Sequence, residues 1–430
     1  MSNKLCILFE GWPRLPHSYS IVLCFQLKYL IKKYNISFYI KEVPYYFKHW
    51  SHKKMDYKFD ENQFFSDLKN GIINDKYIYN NNDNDIDIIY RISFPYNITN
   101  STKPTCVFYT SEFGILDDTY FLSSNVINFQ HFQQNMYFTS PSKWSQQGLT
   151  SYINDDKNEI ITHGVDPDFY YIDNDSRILY RKKLSINDND IILCSVGAMT
   201  GSKGIVFIII LLFLLLTNGN FNINTTINDL VNTHYKLILK GTSDLYQSKE
   251  MVMSYINVIT MSDKCKQYII DNNIIFITET LTFDQLRSIY NCSDIYVSPY
   301  IAEGFNLCPL EALACGTSLI ISKTGSTSDY INDIITNTNT KHISLIDTKV
   351  ISRDNKMLNS VEVDDIVTSY NNLINNTNIH SKNYELSNYV LNNYSWSVVA
   401  DKLYNYLTKN ICNNIIDNII DNTTHNIIKV

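Results

Sequence analysis

The chain has 430 residues, too many for one ordinary domain and suited to two of roughly 170–220 residues. Hydrophobic residues make up 44% of it, enough for two cores, and the formal net charge is −7. Duplex nucleic acid and polybasic membrane contacts both need a basic face, so this acidic balance argues against them. A few local lysines can still hold one diphosphate.

Taken in chain order, short apolar runs alternate with stretches of helical spacing. Residues 5–9 read as a first buried strand, too short to be the apolar core of a secretion signal. Helical periodicity follows over 17–33. Strands are expected at 35–40, 86–92, 105–109, 135–139 and 159–162. Residues 41–85 carry no clear pattern and end in an Asn/Asp tract. The polar stretch 166–190 loses strand character and reads as the interdomain linker. A second alternating series then begins, with strands at 191–196, 235–240, 273–277, 295–298 and 318–322. Helices are expected from 205, over 283–291, from 308, and over 361–373 and 381–392. A last amphipathic helix is expected at 397–408. The longest apolar run, 205–216, has twelve residues. A membrane span needs about 20, so the run reads as a buried crossover helix. Alternation of this kind specifies an α/β fold with parallel sheets covered on both faces. Two such sheets facing each other leave a cleft at the carboxyl ends of their strands, where ligands bind in open α/β sheets.

Nine cysteines lie scattered with no C-x-x-C pair, which reads as reduced, mostly buried thiols in a cytoplasmic protein. No Cys/His cluster has zinc-ligand spacing. Glycine is scarce, 13 in all. Most of it falls between 197 and 325, at strand-to-helix junctions, where it brings backbone close to a ligand.

Three segments carry the chemistry. In SPYIAEGFNLCPLEALACG (298–316), a strand leads into a loop bearing Glu303 and Gly304, then a helix bearing Glu311. The backbone N–H groups of Gly304, Phe305, Asn306 and Leu307 point out of the helix amino end, a ready anion site. The two carboxylates beside it can accept hydrogen bonds from sugar hydroxyls. In VGAMTGSKG (196–204), Gly197 opens a loop and Lys203 stands at a helix start, placed to neutralise a diphosphate. In KLILKG (236–241), Lys240 closes a strand at the edge of the expected cleft.

The 298–316 segment resembles the large retaining glycosyltransferase family with the GT-B fold, which includes glycogen and sucrose synthases. Glu303 and Glu311 match its E-x7-E motif. The resemblance covers most of the chain and is strongest over 191–330. It implies two Rossmann-like domains facing across a cleft. The first is an acceptor-side domain, 1–170, to which a crossing helix at 395–411 returns. The second is a nucleotide-sugar domain, 171–394, and a tail, 412–430, follows. It also implies Glu311 on the donor ribose, Glu303 by the transferred sugar, and Thr280 near the nucleobase. The family's G-R-x4-K-G motif is matched at Lys203 and Gly204, but Ala198 stands where the arginine is usual, and Lys240 is a candidate for the missing charge.

On the acceptor side, His17 and Ser18 stand where the family carries glycines, and His17 is equally a helix cap. Glu112 either faces the acceptor or caps a helix, while His163 and Asp166 read as structural.

The expected reaction takes a sugar from a UDP-, GDP- or ADP-sugar to a glycan, protein or lipid acceptor, with retention. No metal or cofactor, nucleic acid or transmembrane segment is expected. The expected location is the cytoplasm, with peripheral membrane contact left open. Three alternatives remain. One is a metal-dependent enzyme using Asp85-Ile86-Asp87. Another is a nucleotide-sugar epimerase. The third is a degenerate scaffold that only binds.

Overall fold

A computed structural model describes residues 4–59, 61–99, 101–122 and 136–412. The tail expected from 412 lies, past that residue, outside them. The chain forms two compact units: one runs to Gly164 and resumes at Trp396, the other spans Val165–Ser395.

In unit 1 the elements are β1 (Leu5–Gly11), α1 (Ser18–Lys33), β2 (Ile36–Glu42), α2 (Gln63–Lys69), β3 (Ile88–Ile92), β4 (Thr105–Phe108), β5 (Met136–Ser140), α3 (Lys143–Thr150) and β6 (Asn158–Ile160). The six strands pair in the order β2-β1-β3-β4-β5-β6, every pair parallel. Their near-continuous apolar runs suit a sheet covered on both faces. Strand order reverses between β1 and β3.

Unit 2 opens with α4 (Asn174–Lys183) and continues with β7 (Ile191–Val196), α5 (Ile205–Leu216) and β8 (Tyr235–Lys240). Three helices follow, α6 (Ser243–Tyr246), α7 (Ser248–Val258) and α8 (Asp263–Asn273), then β9 (Ile274–Ile277), α9 (Phe283–Cys292), β10 (Ile295–Ser298), α10 (Leu307–Ala314) and β11 (Ser318–Ser322). The unit closes with α11 (Ser328–Thr338), β12 (Ile343–Ile346), the hairpin β13 (Lys349–Arg353) and β14 (Lys356–Ser360), α12 (Val363–Asn376) and α13 (Tyr384–Asn393). Its parallel sheet has the order β12-β11-β10-β7-β8-β9, the doubly wound arrangement whose reversal lies between β7 and β10.

Helix α5 is apolar on every side: Ile208, Leu211, Leu212 and Phe213 are fully buried in the core of unit 2, and Phe207, Ile210 and Leu215 pack half-buried against it. No helix among the described residues is long and apolar enough to cross a membrane. The eight cysteines from Cys6 to Cys315 are free thiols, and all but Cys308 are buried.

The expected linker at 166–190 is corrected: its middle is α4. Arg177 and Arg181, one turn apart on that helix, both reach Asp294 at the foot of β10, at 2.6 and 3.4 Å. Asp294 also accepts from Ile192 N–H and lies 3.4 Å from His380. Burial pushes its pKa up, but the His380 and Arg177 contacts outweigh it and hold the carboxyl below its usual value. The passage between units falls at Gly164–Val165 rather than in that stretch.

Helix α14 (Trp396–Asn405) belongs to unit 1. Trp396 stacks on Phe25 with 5.6 Å between ring centroids, and Tyr404 stacks on Tyr34 at 3.7 Å. Lys33 reaches Asp401 at 2.5 Å.

Candidate active site

The strongest site residues lie at the β7/β10 reversal, where two neighbouring strands send their following helices to opposite faces and leave a crevice. After β7 the chain turns at Gly197, with φ +133°, and makes a short 3-10 turn, Gly201–Lys203. Gly204 then starts α5 in the left-handed region, at φ +70°. Its missing side chain is required: a Cβ there would stand 2.0 Å from the carbonyl oxygen of Pro299. The two loops are fastened together. Ile301 and Ala302 donate their N–H groups to Ser202 O at 2.7 and 3.2 Å.

That fastening sets Lys203 against Glu303. Their side chains form an ion pair, with the glutamate side chain 8% exposed and the lysine 25%. The loop then reaches Asn306, a left-handed residue at φ +65° that precedes α10. Asparagine tolerates this region better than most residues. Its Nδ2 donates to Ser298 Oγ at 2.8 Å, and its carbonyl accepts from Tyr330 at 2.9 Å. Phe305 is buried against the Tyr330 ring. Gly304 lies between it and Glu303, and Leu307 is the first residue of α10. The first turn of a helix directs its N–H groups outward, so this corner favours an anion.

Glu311 sits in the second turn of α10, 4% exposed. Tyr290 of α9 donates its hydroxyl to the carboxylate at 2.6 Å. Burial pushes the Glu311 pKa up, and the Tyr290 bond pulls it partly back. Tyr170, also buried, turns its hydroxyl toward the same carboxylate and, with Tyr290, lowers its pKa. Neither tyrosine was expected from sequence, because no local pattern links them to residue 311.

Lys240 closes β8, paired in register with Val196, and its carbonyl accepts from Gly197 N–H at 3.0 Å. The residue is 7% exposed, and its ammonium donates to the carbonyl of Gly241 and, at 3.4 Å, to Thr242. Burial lowers its pKa to about 8. Thr280 lies in the exposed loop after β9. Ala198 is partly exposed in the β7 loop and brings no charge.

In unit 1, His17 caps α1: its Nδ1 accepts from Tyr19 N–H at 3.3 Å. Ser18 is the exposed first residue of that helix. Glu112 is exposed in a turn after β4, its carbonyl accepting from Trp144. No helix starts there, so the capping alternative is corrected. His163 is buried between Phe108 and Trp396, and burial lowers its pKa to about 3. Asp87 accepts from Cys6 N–H, and Asp85 accepts from Asn82. Among the described residues no three His, Cys, Asp or Glu side chains gather as a ligand set.

With the geometry in hand, similarity adds a fold. Over 94% of this chain and 99% of its own, the sucrose-phosphate synthase of Thermosynechococcus elongatus superposes with a TM-score of 0.58 at 13% identity. The catalytic domain of starch synthase IV from Arabidopsis thaliana, bound to ADP and acarbose, gives 0.58 at 12% identity over 95% of this chain and 100% of its own. The fold is GT-B. Within this GT-B chain, residues 176–341 match the family described as glycosyl transferases group 1, a segment that contains the β7, β8 and β10 loops and α10. An uncharacterized glycosyltransferase of Methanocaldococcus jannaschii is 25% identical over 194 residues, 44% of this chain and 43% of the relative. The chain thus spans less than half the length of the curated relatives it matches.

Proposed function

We propose that this protein transfers a hexose-type sugar from a nucleotide-diphosphate sugar to an acceptor hydroxyl on a glycan, protein or lipid, with retention and without a metal ion. The observation that carries the reading is the Lys203–Glu303 pair at the β7/β10 reversal, followed by buried Glu311 in the second turn of α10. The reaction needs a nucleoside diphosphate to leave as an anion. Lys203, Lys240 and the amino end of α10 supply positive potential for that charge. Glu311 accepts from the donor ribose, and Glu303 works beside the transferred sugar. Gly197, Gly304, Phe305, Asn306 and Leu307 shape the diphosphate and sugar pocket, with Thr280 by the base. His17, Ser18 and Glu112 serve the acceptor side. The reaction takes place in the cytoplasm, at a membrane surface where the acceptor is a lipid.

The test is binding and slow hydrolysis of UDP-, GDP- and ADP-sugars in EDTA, with Glu311→Ala as control and the released anomer read by NMR. One donor bound and hydrolysed with its configuration kept, and both signals lost in the variant, is the expected result. A second reading, a scaffold that binds without turnover, rests on Ala198. Well-folded protein that binds no donor, with or without Mn²⁺, would replace the first reading with that one. Interconversion of free donors without an acceptor would point to an epimerase.

A further inference from the structure

Unit 1 has its own strand-order reversal, between β1 and β3, and the loops leaving those two strands carry rings. Trp12 follows β1 and Phe94 follows β3. Between them lies a long loop after β2, residues 43–59, which has no regular secondary structure. Loops of this length inside a compact unit are uncommon and usually have a function. This one is firmly attached. Val43 N–H donates to Gly11 O, Trp12 Nε1 donates to Pro44 O at 3.1 Å, and Lys53 N–H donates to Arg14 O at 2.9 Å. Trp50, Met55, Tyr57 and Phe59 anchor it in the core.

Its tip, by contrast, presents rings to water. Tyr46 is 48% exposed and Phe47 43%. They touch each other at 4.6 Å between centroids, Tyr46 meets Phe94 at 5.1 Å, and Phe47 meets Trp50 at 5.1 Å. Trp50 in turn packs edge-on to Trp12 at 5.8 Å. Scattered single exposed hydrophobes need no explanation, but contiguous rings on a fixed base do. Along one side runs a polar chain. Tyr45 Oη is 2.5 Å from His52 Nδ1, His52 Nε2 is 3.4 Å from Arg14, and Arg14 Nε donates to Glu42 at 2.9 Å.

We propose that this surface binds a pyranoside, with the sugar's C–H face on the exposed Tyr46 ring, which Phe47 meets at an interplanar angle of 69°, and its hydroxyls on the Tyr45–His52–Arg14–Glu42 edge. A pyranose ring has one face of C–H bonds and a rim of hydroxyls, so it needs a flat apolar partner beside fixed planar donors and acceptors. An acyl chain would instead need an aliphatic groove, and the exposed large hydrophobes of this loop are both aromatic. The place is where open α/β sheets take ligands, outside the carboxyl ends of strands at a reversal. Under the function proposed above, on which this assignment of role rests, the bound pyranoside is the sugar acceptor.

The test is a titration of the full chain, without nucleotide, against methyl glucoside, mannoside, galactoside and N-acetylglucosaminide and their short oligomers. Tryptophan fluorescence reports binding, since Trp12 and Trp50 lie under the rings. Saturable binding of at least one sugar is expected, weakened tenfold or more in Tyr46→Ala/Phe47→Ala. Tyr384→Ala, which removes an exposed ring in unit 2, is expected to leave it unchanged. No saturable binding, or equal binding by a double variant of unchanged melting temperature, overturns the proposal. So does capture by phosphatidylserine vesicles that depends on the two rings and comes without sugar binding, which would make the loop a membrane contact. Donor binding measured separately in EDTA distinguishes failure of this surface from failure of the transferase reading.

Discussion

Two lysines of unit 2 with depressed pKa values make a controlled comparison. Burial brings both Lys240 and Lys382 down to about 8. Lys382 donates to the carbonyls of Tyr290 and Ser293 and to the Thr317 hydroxyl, at 2.9–3.1 Å, and so ties α9 to the start of β11. Lys240 donates to the Gly241 carbonyl and the Thr242 hydroxyl, both in the loop that follows it in the chain. A lysine whose folded pKa is depressed binds its proton more tightly when unfolded. Its penalty is therefore complete below pH 8 and fades as pH rises toward 10.5. Lys240→Met should stabilise the protein at pH 7 by up to ~2–3 kcal/mol and slow donor turnover. The gain should shrink by pH 9.5 in urea denaturation. Lys382 contributes the same slope to both proteins, so the difference isolates Lys240. No gain at pH 7 would mean that its hydrogen bonds outweigh the cost of burial. Glu311 gives a second prediction. The Tyr290 hydroxyl restrains a pKa that burial has raised, so Tyr290→Phe should move the acid fall-off of nucleotide affinity to higher pH. An unmoved fall-off in titrations from pH 4.5 to 7.5 would exclude Glu311 as the titrating group.

Elements differ in how plainly the sequence announces them. Strands β7, β8, β10 and β11 coincide with the expected 191–196, 235–240, 295–298 and 318–322, because a parallel strand buried on both faces reads as a near-continuous apolar run. Glu303, Lys203 and Glu311 were legible because each stands at a fixed offset from such a strand. Helix α4 was not. Ile178 and Leu179 are exposed and its useful face is charged, so hydrophobic spacing could not find it. The arginine pair one turn apart was the only local sign. The hairpin β13–β14 was missed although Asp354 and Asn355 mark it, both left-handed in a two-residue turn. The ring platform on residues 43–59 was invisible because long-range packing, rather than periodicity, orders it. Helix α5 supplies the element-scale prediction. Gly204→Ala would force a left-handed alanine, at about 1–2 kcal/mol, and drive its Cβ onto Pro299 O. A lowered melting temperature together with weakened donor hydrolysis should follow, since Lys203 is the neighbouring residue. An unchanged melting temperature would show that the two loops can separate cheaply.

At the scale of the molecule, unit 1 is discontinuous: helix α14 returns to it only after all of unit 2. Truncation after Ser395 removes Trp396 from Phe25, Tyr404 from Tyr34 and Asp401 from Lys33. Unit 1 of the truncated chain should become protease-sensitive, while Val165–Ser395 keeps its protection. Equal protection of both units would show that α14 is dispensable. The same wiring constrains how the protein is made. Ribosomes add ~5–20 residues per second, so the residues that complete unit 1 emerge roughly 10–50 s after its first part. During that interval unit 2 can finish folding, and α1 waits with its aromatic face uncovered. The half of the protein synthesised first is then the half completed last, and a chaperone that shields Phe25 on the nascent chain should raise the yield of the full-length protein more than that of unit 2 alone.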